Sequence, residues 1–505
     1  MCELQSGVAL GHIIEEELLL PHLRSPPVFG LRLQAAEYAF TGRRRRRRLL
    51  LRRSARPPAT PTLRGVRRAR DSVIEPMPTR IRGALPWVGA GIGLLRDPTA
   101  FFERARQRHG DTFVVDAFGF RLFCVFSAGG LRRLYEVAER EASFGLATYR
   151  LIGFKLPPEL LAGRRNTPHH LFGNQRVEGY LGNLEAAVAH EIDALGDAGS
   201  FEAFTEAKRL GHRLGLASWA GVEAASPQHL DRLIPMLDAI DSSEAFVRPA
   251  QAFRTWATRR SRERRAMHGV ERVIAEIWAG RERTGVRRGD FLDQLVESYD
   301  DLPRDAALIG VARDVIMLHS GAQSNLYAAL AWTLLHVAAQ PDLVERVRGG
   351  DDALLEQCAN ESIRMAQRSI TLREVLTPIE VDDGHHTYTL GIGTFLTTML
   401  SVNNCTAAPG LDRFDPTHYD DRRRLVPEVA VATKELVSTF GHGPHSCPAA
   451  RFSISAIRIA LRTLLDTYDL TVLDDPLPRR RQIGGVSRAQ RPVRIAFRRR
   501  NGSGA

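Results

Sequence analysis

The run Phe440-Gly441-His442-Gly443-Pro444-His445-Ser446-Cys447-Pro448-Ala449-Ala450-Arg451 sets one cysteine at the end of a glycine-rich loop, just before a proline that can open a helix. Phe452, Ile454, Ile457, Ala460 and Leu461 continue with helical spacing. A cysteine at that position meets free N–H groups and the positive end of the helix dipole, which favour thiolate over thiol. A thiolate there can bind iron. Gly441 and Gly443 let the backbone come close to a flat ligand, Phe440 can cover the sulfur, and His445 can reach a carboxylate such as a haem propionate. A lone cysteine is more often a buried small hydrophobe. It is the whole loop with its following helix that points to a haem ligand.

Two further groups carry chemistry. Glu361 and Arg364 stand three residues apart and can form an ion pair on one helix face, which for an exposed pair contributes only a few tenths of a kcal/mol. Gln323, Ser324 and Asn325 lie in the small, polar stretch Ser320–Asn325 of an otherwise apolar segment. An amide such as Asn325 can hydrogen-bond an oxygen or hold a water, but it supplies no proton cheaply. The competing reading is local: Asn325 satisfies a helix carbonyl in a kinked turn.

Helices dominate the elements expected to position these groups. The longest spans about Asp305 to Val337, some 50 Å at 1.5 Å per residue, stops before Pro341, and is expected to be interrupted at its polar centre. A helix is expected from Pro98 to about Arg108, ended by Gly110, then a hairpin of Thr112–Asp116 and Arg121–Phe126 around Phe118-Gly119. Short strands are expected over Val381–Leu390 and Thr394–Met399.

The cysteine loop resembles that of the cytochrome P450 family, Phe-x-x-Gly-x-Arg/His-x-Cys-x-Gly/Ala, through Phe440, Gly443, His445, Cys447 and Ala449. Glu361-Ser362-Ile363-Arg364 matches the family's Glu-x-x-Arg, and Phe414-Asp415-Pro416-Thr417-His418-Tyr419 its partner region. The resemblance implies a mainly α fold with a small β portion, a helical prism whose long central helix faces Cys447 across haem b. It also implies a structural triad of Glu361, Arg364 and His418, and an Arg373 that pairs bidentately with a haem propionate. Most family monooxygenases carry an acid and a threonine at mid-helix; here those positions hold Ser324 and Asn325. Gln323-Ser324-Asn325 with Trp332, and Leu85-Pro86-Trp87-Val88-Gly89, resemble the branch of the sterol 7- and 12-hydroxylases and prostacyclin synthase. The resemblance therefore implies a monooxygenase acting on a sterol, terpenoid or fatty acid, fed by ferredoxin and ferredoxin reductase or an equivalent donor. The alternative in the same branch is a peroxide isomerase or dehydratase, and one of another class is a non-catalytic haem-binding protein.

Composition bounds these readings. Of the net charge of +12, the 15 arginines and 7 acids of residues 1–76 supply +8, so the basic excess argues for no nucleic-acid partner of the body. That extension, with Arg43–Arg48 and the Pro57–Pro61 stretch, is expected to be disordered, Met77 being the alternative start. Residues 77–500 are expected to form a single domain, with a flexible tail at 501–505. Five scattered cysteines argue against a disulfide framework and for a cytoplasmic setting. No stretch reaches the roughly 20 apolar residues of a membrane span, and a monomer is expected. Substrate-lining segments are expected at Ser143–Gly163 and Ala225–Phe253 and in the strand after Arg364, with Phe144, Leu151 and Ile370 among their apolar residues.

Overall fold

The computed structural model describes residues 78–153, 155–166, 178–241, 254–255 and 257–500. The extension at 1–76, Met77, the tail at 501–505 and part of the 225–253 segment lie outside the described residues.

The chain enters through β1 (Thr79–Ile81) and α1 (Gly91–Arg96). In α2 (Pro98–His109), Asp97 accepts a hydrogen bond from the Ala100 N–H, Pro98 fills a first-turn position that needs no donor, and Gly110 at φ +81° ends the helix. The hairpin of β2 (Thr112–Ala117) and β3 (Phe120–Val125) turns on Phe118 and Gly119, both at positive φ, as a two-residue turn matching strand twist requires. Next come α3 (Ala128–Glu136), β4 (Ala142–Ser143) and α4 (Phe144–Ile152). Together with later strands these build a six-stranded sheet of order β1-β2-β3-β9-β6-β4.

The helical part comprises α5 (Glu178–Leu195), β5 (Ala198–Glu202), α6 (Ala203–Trp219), α7 (Pro227–Ile240), α8 (Ser261–Thr284) and α9 (Phe291–Glu297). Through its middle runs α10 (Arg304–Ala338), 35 residues and therefore about 52 Å long, with α6 packed along it. It ends because Pro341 holds Gln340 in an extended conformation. The interruption expected at Ser320–Asn325 is absent: the helix is continuous there. A mid-helix glycine costs only about 1 kcal/mol, and packing along the whole length of α10 outweighs that.

After α11 (Pro341–Arg348) and α12 (Asp352–Ala366) come β6 (Ile370–Val375), β7 (Ile379–Asp382), β8 (Thr387–Leu390) and β9 (Thr394–Met399). The single strand expected over Val381–Leu390 is thus a hairpin. Asp383 Oδ1 accepts the N–H groups of His385 and His386, and Gly384 takes φ +94° at the tip. The chain closes with α13 (Leu400–Thr406), α14 (Ala450–Thr467), β10 (Tyr468–Val472) and β11 (Arg494–Arg499); β10, β11 and β5 form an antiparallel sheet. One apolar cluster holds residues from Leu156 to Phe497, and smaller ones line the six-stranded sheet. No helix among the described residues is long and apolar enough to cross a membrane.

Candidate functional site

Cys447 sits three residues before α14, its backbone N–H bonded to the Phe440 carbonyl at 2.6 Å, so the loop folds back on itself around the sulfur. Gly441 at φ +79° lies where a Cβ would stand 3.0 Å from the His445 carbonyl oxygen, and Gly443 takes φ +62°. Both need the backbone freedom of glycine. Burial pushes the Cys447 thiol up, against the pull of the Ala449 backbone N–H. The helix-start N–H pulls towards the thiolate as the sequence suggests, but desolvation of the charged form outweighs that one donor. A bound metal cation reverses that balance. Phe440, partly buried, packs against the main core.

The loop is held from below. Glu361 and Arg364 are fully buried and paired through two bonds, Nε to Oε2 at 2.7 Å and Nη2 to Oε1 at 2.6 Å. His418 Nδ1 donates to Glu361 Oε1 at 2.9 Å, and the Asp415 N–H adds a bond of 3.1 Å. Arg364 spends its remaining donors on the carbonyls of Asn404, Leu411 and Arg413. A residue that sequence reasoning missed then reaches the cysteine loop: buried Asn404 donates to the carbonyls of Arg364 (3.0 Å) and Ser438 (2.9 Å) and accepts the Ser438 N–H (2.8 Å). Ser438 Oγ in turn accepts the Gly441 N–H at 3.0 Å. The ion pair and the loop form one hydrogen-bonded unit.

On the sheet side, His445 and Arg373 converge on a second missed residue, Glu139. His445 Nε2 lies 3.3 Å from Glu139 Oε2 and Arg373 Nη1 lies 3.6 Å from it. The carboxylate also accepts the N–H groups of Phe144 (3.0 Å) and Gly145 (2.9 Å) and the Ser143 hydroxyl (2.6 Å), capping α4. Arg373, 1% exposed, directs Nη1 to the carbonyls of Val137 and Ala142, both at 3.1 Å. Nη2 reaches the Tyr135 carbonyl at 3.5 Å, and among the described residues Nε makes no hydrogen bond, so Nε is the donor left for a ligand carboxylate. Phe144 lies over His445 with ring centroids 5.3 Å apart.

The mid-helix residues point elsewhere. Asn325 Oδ1 accepts the Val486 N–H at 2.9 Å, and its Nδ2 turns back to the Gly321 carbonyl at 3.4 Å. Ser324 is half-buried. Gln323 is buried with neither amide atom in a hydrogen bond of good geometry, although it lies close enough to His319, one turn earlier, to draw that imidazole's pKa upward. Burial and the neighbouring His212 outweigh that pull and keep His319 neutral. Asn325 and Cys447 are joined through the segment Ala366–Ser369, which pairs with Gly484–Ser487 on one side and holds the Thr439 carbonyl through Gln367 on the other. Leu151 and Ile370, named from sequence, pack against one apolar cluster, together with Ile483, which was not. A separate shallow apolar crevice between α5, α6, α10 and α14 includes neither the cysteine loop nor residues 320–325.

The arrangement fits a haem: a partly buried sulfur donor at a helix start, a positive-φ glycine pair, and the imidazole of His445 near the guanidinium of Arg373. Comparison with known proteins agrees. The family model described as cytochrome P450 matches residues 242–497. The human 24-hydroxycholesterol 7-alpha-hydroxylase is 21% identical over 461 residues, 84% of this chain and 94% of that protein. A sterol 14-alpha demethylase of Gibberella zeae is 21% identical over 466 residues, 82% and 91% of the two chains. A cytochrome P450 monooxygenase of Penicillium brasilianum is 22% identical over 304 residues, 55% of this chain and 58% of its own.

Proposed function

The chain belongs to the cytochrome P450 family, and from that premise we propose that Cys447 would hold the iron of haem b through its sulfur and that the hydrogen-bonded unit below the loop keeps that sulfur in place. The protein is a haem-thiolate monooxygenase that takes electrons from a separate redox partner and acts on a lipophilic substrate. Peroxide rearrangement is not favoured, since the relatives named are hydroxylases, demethylases and monooxygenases.

The observation that carries the proposal is the junction at Cys447: a single sulfur at the start of α14, with its loop braced through Ser438 and Asn404 to the buried Glu361–Arg364 pair. Bound haem supplies the redox chemistry that activates dioxygen and inserts one of its atoms. What the chain adds is placement. Glu361, Arg364 and His418 keep the loop from relaxing, Phe440 would shield the sulfur, and His445 with the Nε of Arg373 would receive the cofactor's carboxylates. Neither Ser324 nor Asn325 titrates near neutral pH, so neither side chain is a proton source for the site. We assign a sterol-like substrate from the activities of the relatives and from the apolar cluster that Leu151, Ile370 and Ile483 share. Arg451, exposed in the first turn of α14, suits an acidic partner such as a ferredoxin. The reading is completed by residues 77–500 acting as one domain, as a monomer in the cytoplasm. Spectral titration of the haem-loaded ferric protein with 24-hydroxycholesterol tests the substrate class: a saturable change in the Soret absorbance is expected, and no change up to the sterol's solubility limit overturns the sterol assignment.

A further inference from the structure

Asn325 and Trp332 lie seven residues apart on one face of α10, and both reach the same loop. Asn325 Oδ1 accepts the Val486 N–H at 2.9 Å, and Trp332 Nε1 donates to the Ser487 carbonyl. Just before Val486, Gly485, at φ +64°, comes so close that a Cβ would stand 2.4 Å from Asn325 Oδ1. On its other side the loop is tied to the segment leading into β6. Gly484 N–H bonds the Arg368 carbonyl and Arg368 N–H the Gly485 carbonyl, both at 2.8 Å, while the Gly485 N–H bonds Ser369 Oγ at 2.9 Å. Ile483, at the head of this loop, packs against the apolar cluster shared by Leu151 and Ile370.

An amide whose oxygen is committed to Val486 and whose nitrogen is turned back on Gly321 has little left to offer an oxygen or a proton in the pocket. We propose that Asn325, with Gly485 as its counterpart, is a positioning residue: it sets how closely the loop 483–487 lies over the middle of α10, and so the orientation in which a lipophilic substrate is held. The proposal rests on the monooxygenase reading above. Its chemistry is that of specificity, because Ile483 packs against the same apolar cluster as Leu151 and Ile370, which the sequence places among the substrate-lining residues, whereas the cysteine loop is reached one segment further on, through Ala366–Ser369 and Gln367. Alanine at 325 removes the acceptor, aspartate keeps it, and alanine at 485 wedges the same contact apart without altering α10.

The test uses the full-length haem-loaded protein and its Asn325→Ala, Asn325→Asp and Gly485→Ala variants. Hydrogen exchange of the peptide carrying Val486 is expected to rise about tenfold in N325A and G485A, as loss of one buried hydrogen bond implies, and less in N325D. Oxidation of 24-hydroxycholesterol with a ferredoxin and its reductase is expected to give the same redistribution of product positions in N325A and G485A, with N325D close to the parent. Unchanged exchange in N325A, or an unchanged product pattern in both alanine variants, overturns the proposal. Loss of coupling between electron use and product in N325A but not in G485A also overturns it, by assigning Asn325 to oxygen. If G485A does not accumulate folded, N325A against N325D decides. If the parent leaves 24-hydroxycholesterol untouched, the sterol reading fails separately, and hydroxylation positions on lauric acid are compared in the same way.

Discussion

Replacing Asn404 by alanine should weaken the protein far more than its size suggests. Asn404 is fully buried and makes three hydrogen bonds, to the carbonyls of Arg364 and Ser438 and from the Ser438 N–H. Truncation leaves those three buried backbone groups without their partner, at about 1–3 kcal/mol each before relaxation. A net loss of roughly 3–5 kcal/mol is expected, against total stabilities of about 5–15 kcal/mol. Because Ser438 also positions Gly441, the damage falls on the cysteine loop. Haem should therefore transfer to an apoglobin acceptor many times faster from N404A than from the parent, at a temperature where both remain folded. Urea unfolding followed by far-ultraviolet circular dichroism measures the first quantity and Soret absorbance the second. A destabilisation below about 1 kcal/mol together with an unchanged transfer rate would refute the idea that Asn404 couples the ion pair to the loop.

Arg364→Ala leaves Glu361 as a buried carboxylate with only His418 and the Asp415 N–H, and should cost about 3–5 kcal/mol or prevent haem-loaded protein from accumulating; expression yield and Soret absorbance report it. Glu139→Gln keeps an oxygen to cap α4 but removes the charge shared by His445 and Arg373, so haem retention should change more than the thermal midpoint; equal changes would make Glu139 a cap alone. Burial holds His336 down at about 4 and His319 well below its usual range. Both are neutral when folded, while unfolded imidazoles take protons below about pH 6.5. Their contribution is therefore intact above about pH 6.5 and lost as the pH falls from there towards 4, by up to roughly 3 kcal/mol for His336. Unfolding of His336→Asn compared with the parent across that window should show a flatter acid limb in the variant, and parallel curves would contradict the assignment.

The parts of the site legible in the sequence are those whose partners are near in the chain. The loop from Phe440 to Cys447 is local, Glu361 and Arg364 are one helical turn apart, and the β2–β3 turn is set by Phe118-Gly119 itself. Asn404, Glu139 and Gly485 were invisible because each acts across tens to hundreds of residues and belongs to a common residue type with no pattern around it. The β7–β8 hairpin was merged into one strand because the Asp382-Asp383-Gly384 turn chemistry was outweighed by the alternation around it. The interruption expected in α10 failed for a different reason: weak local propensity at Ser320–Asn325 is overruled by packing along its flanks.

The measurement that bears most directly on the central claim is the absorption spectrum of the reduced, carbon monoxide-bound full-length protein beside its Cys447→His variant. The account predicts the strongly red-shifted Soret band of thiolate ligation in the parent and its replacement by an imidazole-type band in the variant. A parent spectrum of the imidazole type, or a thiolate spectrum that survives loss of Cys447, would contradict it.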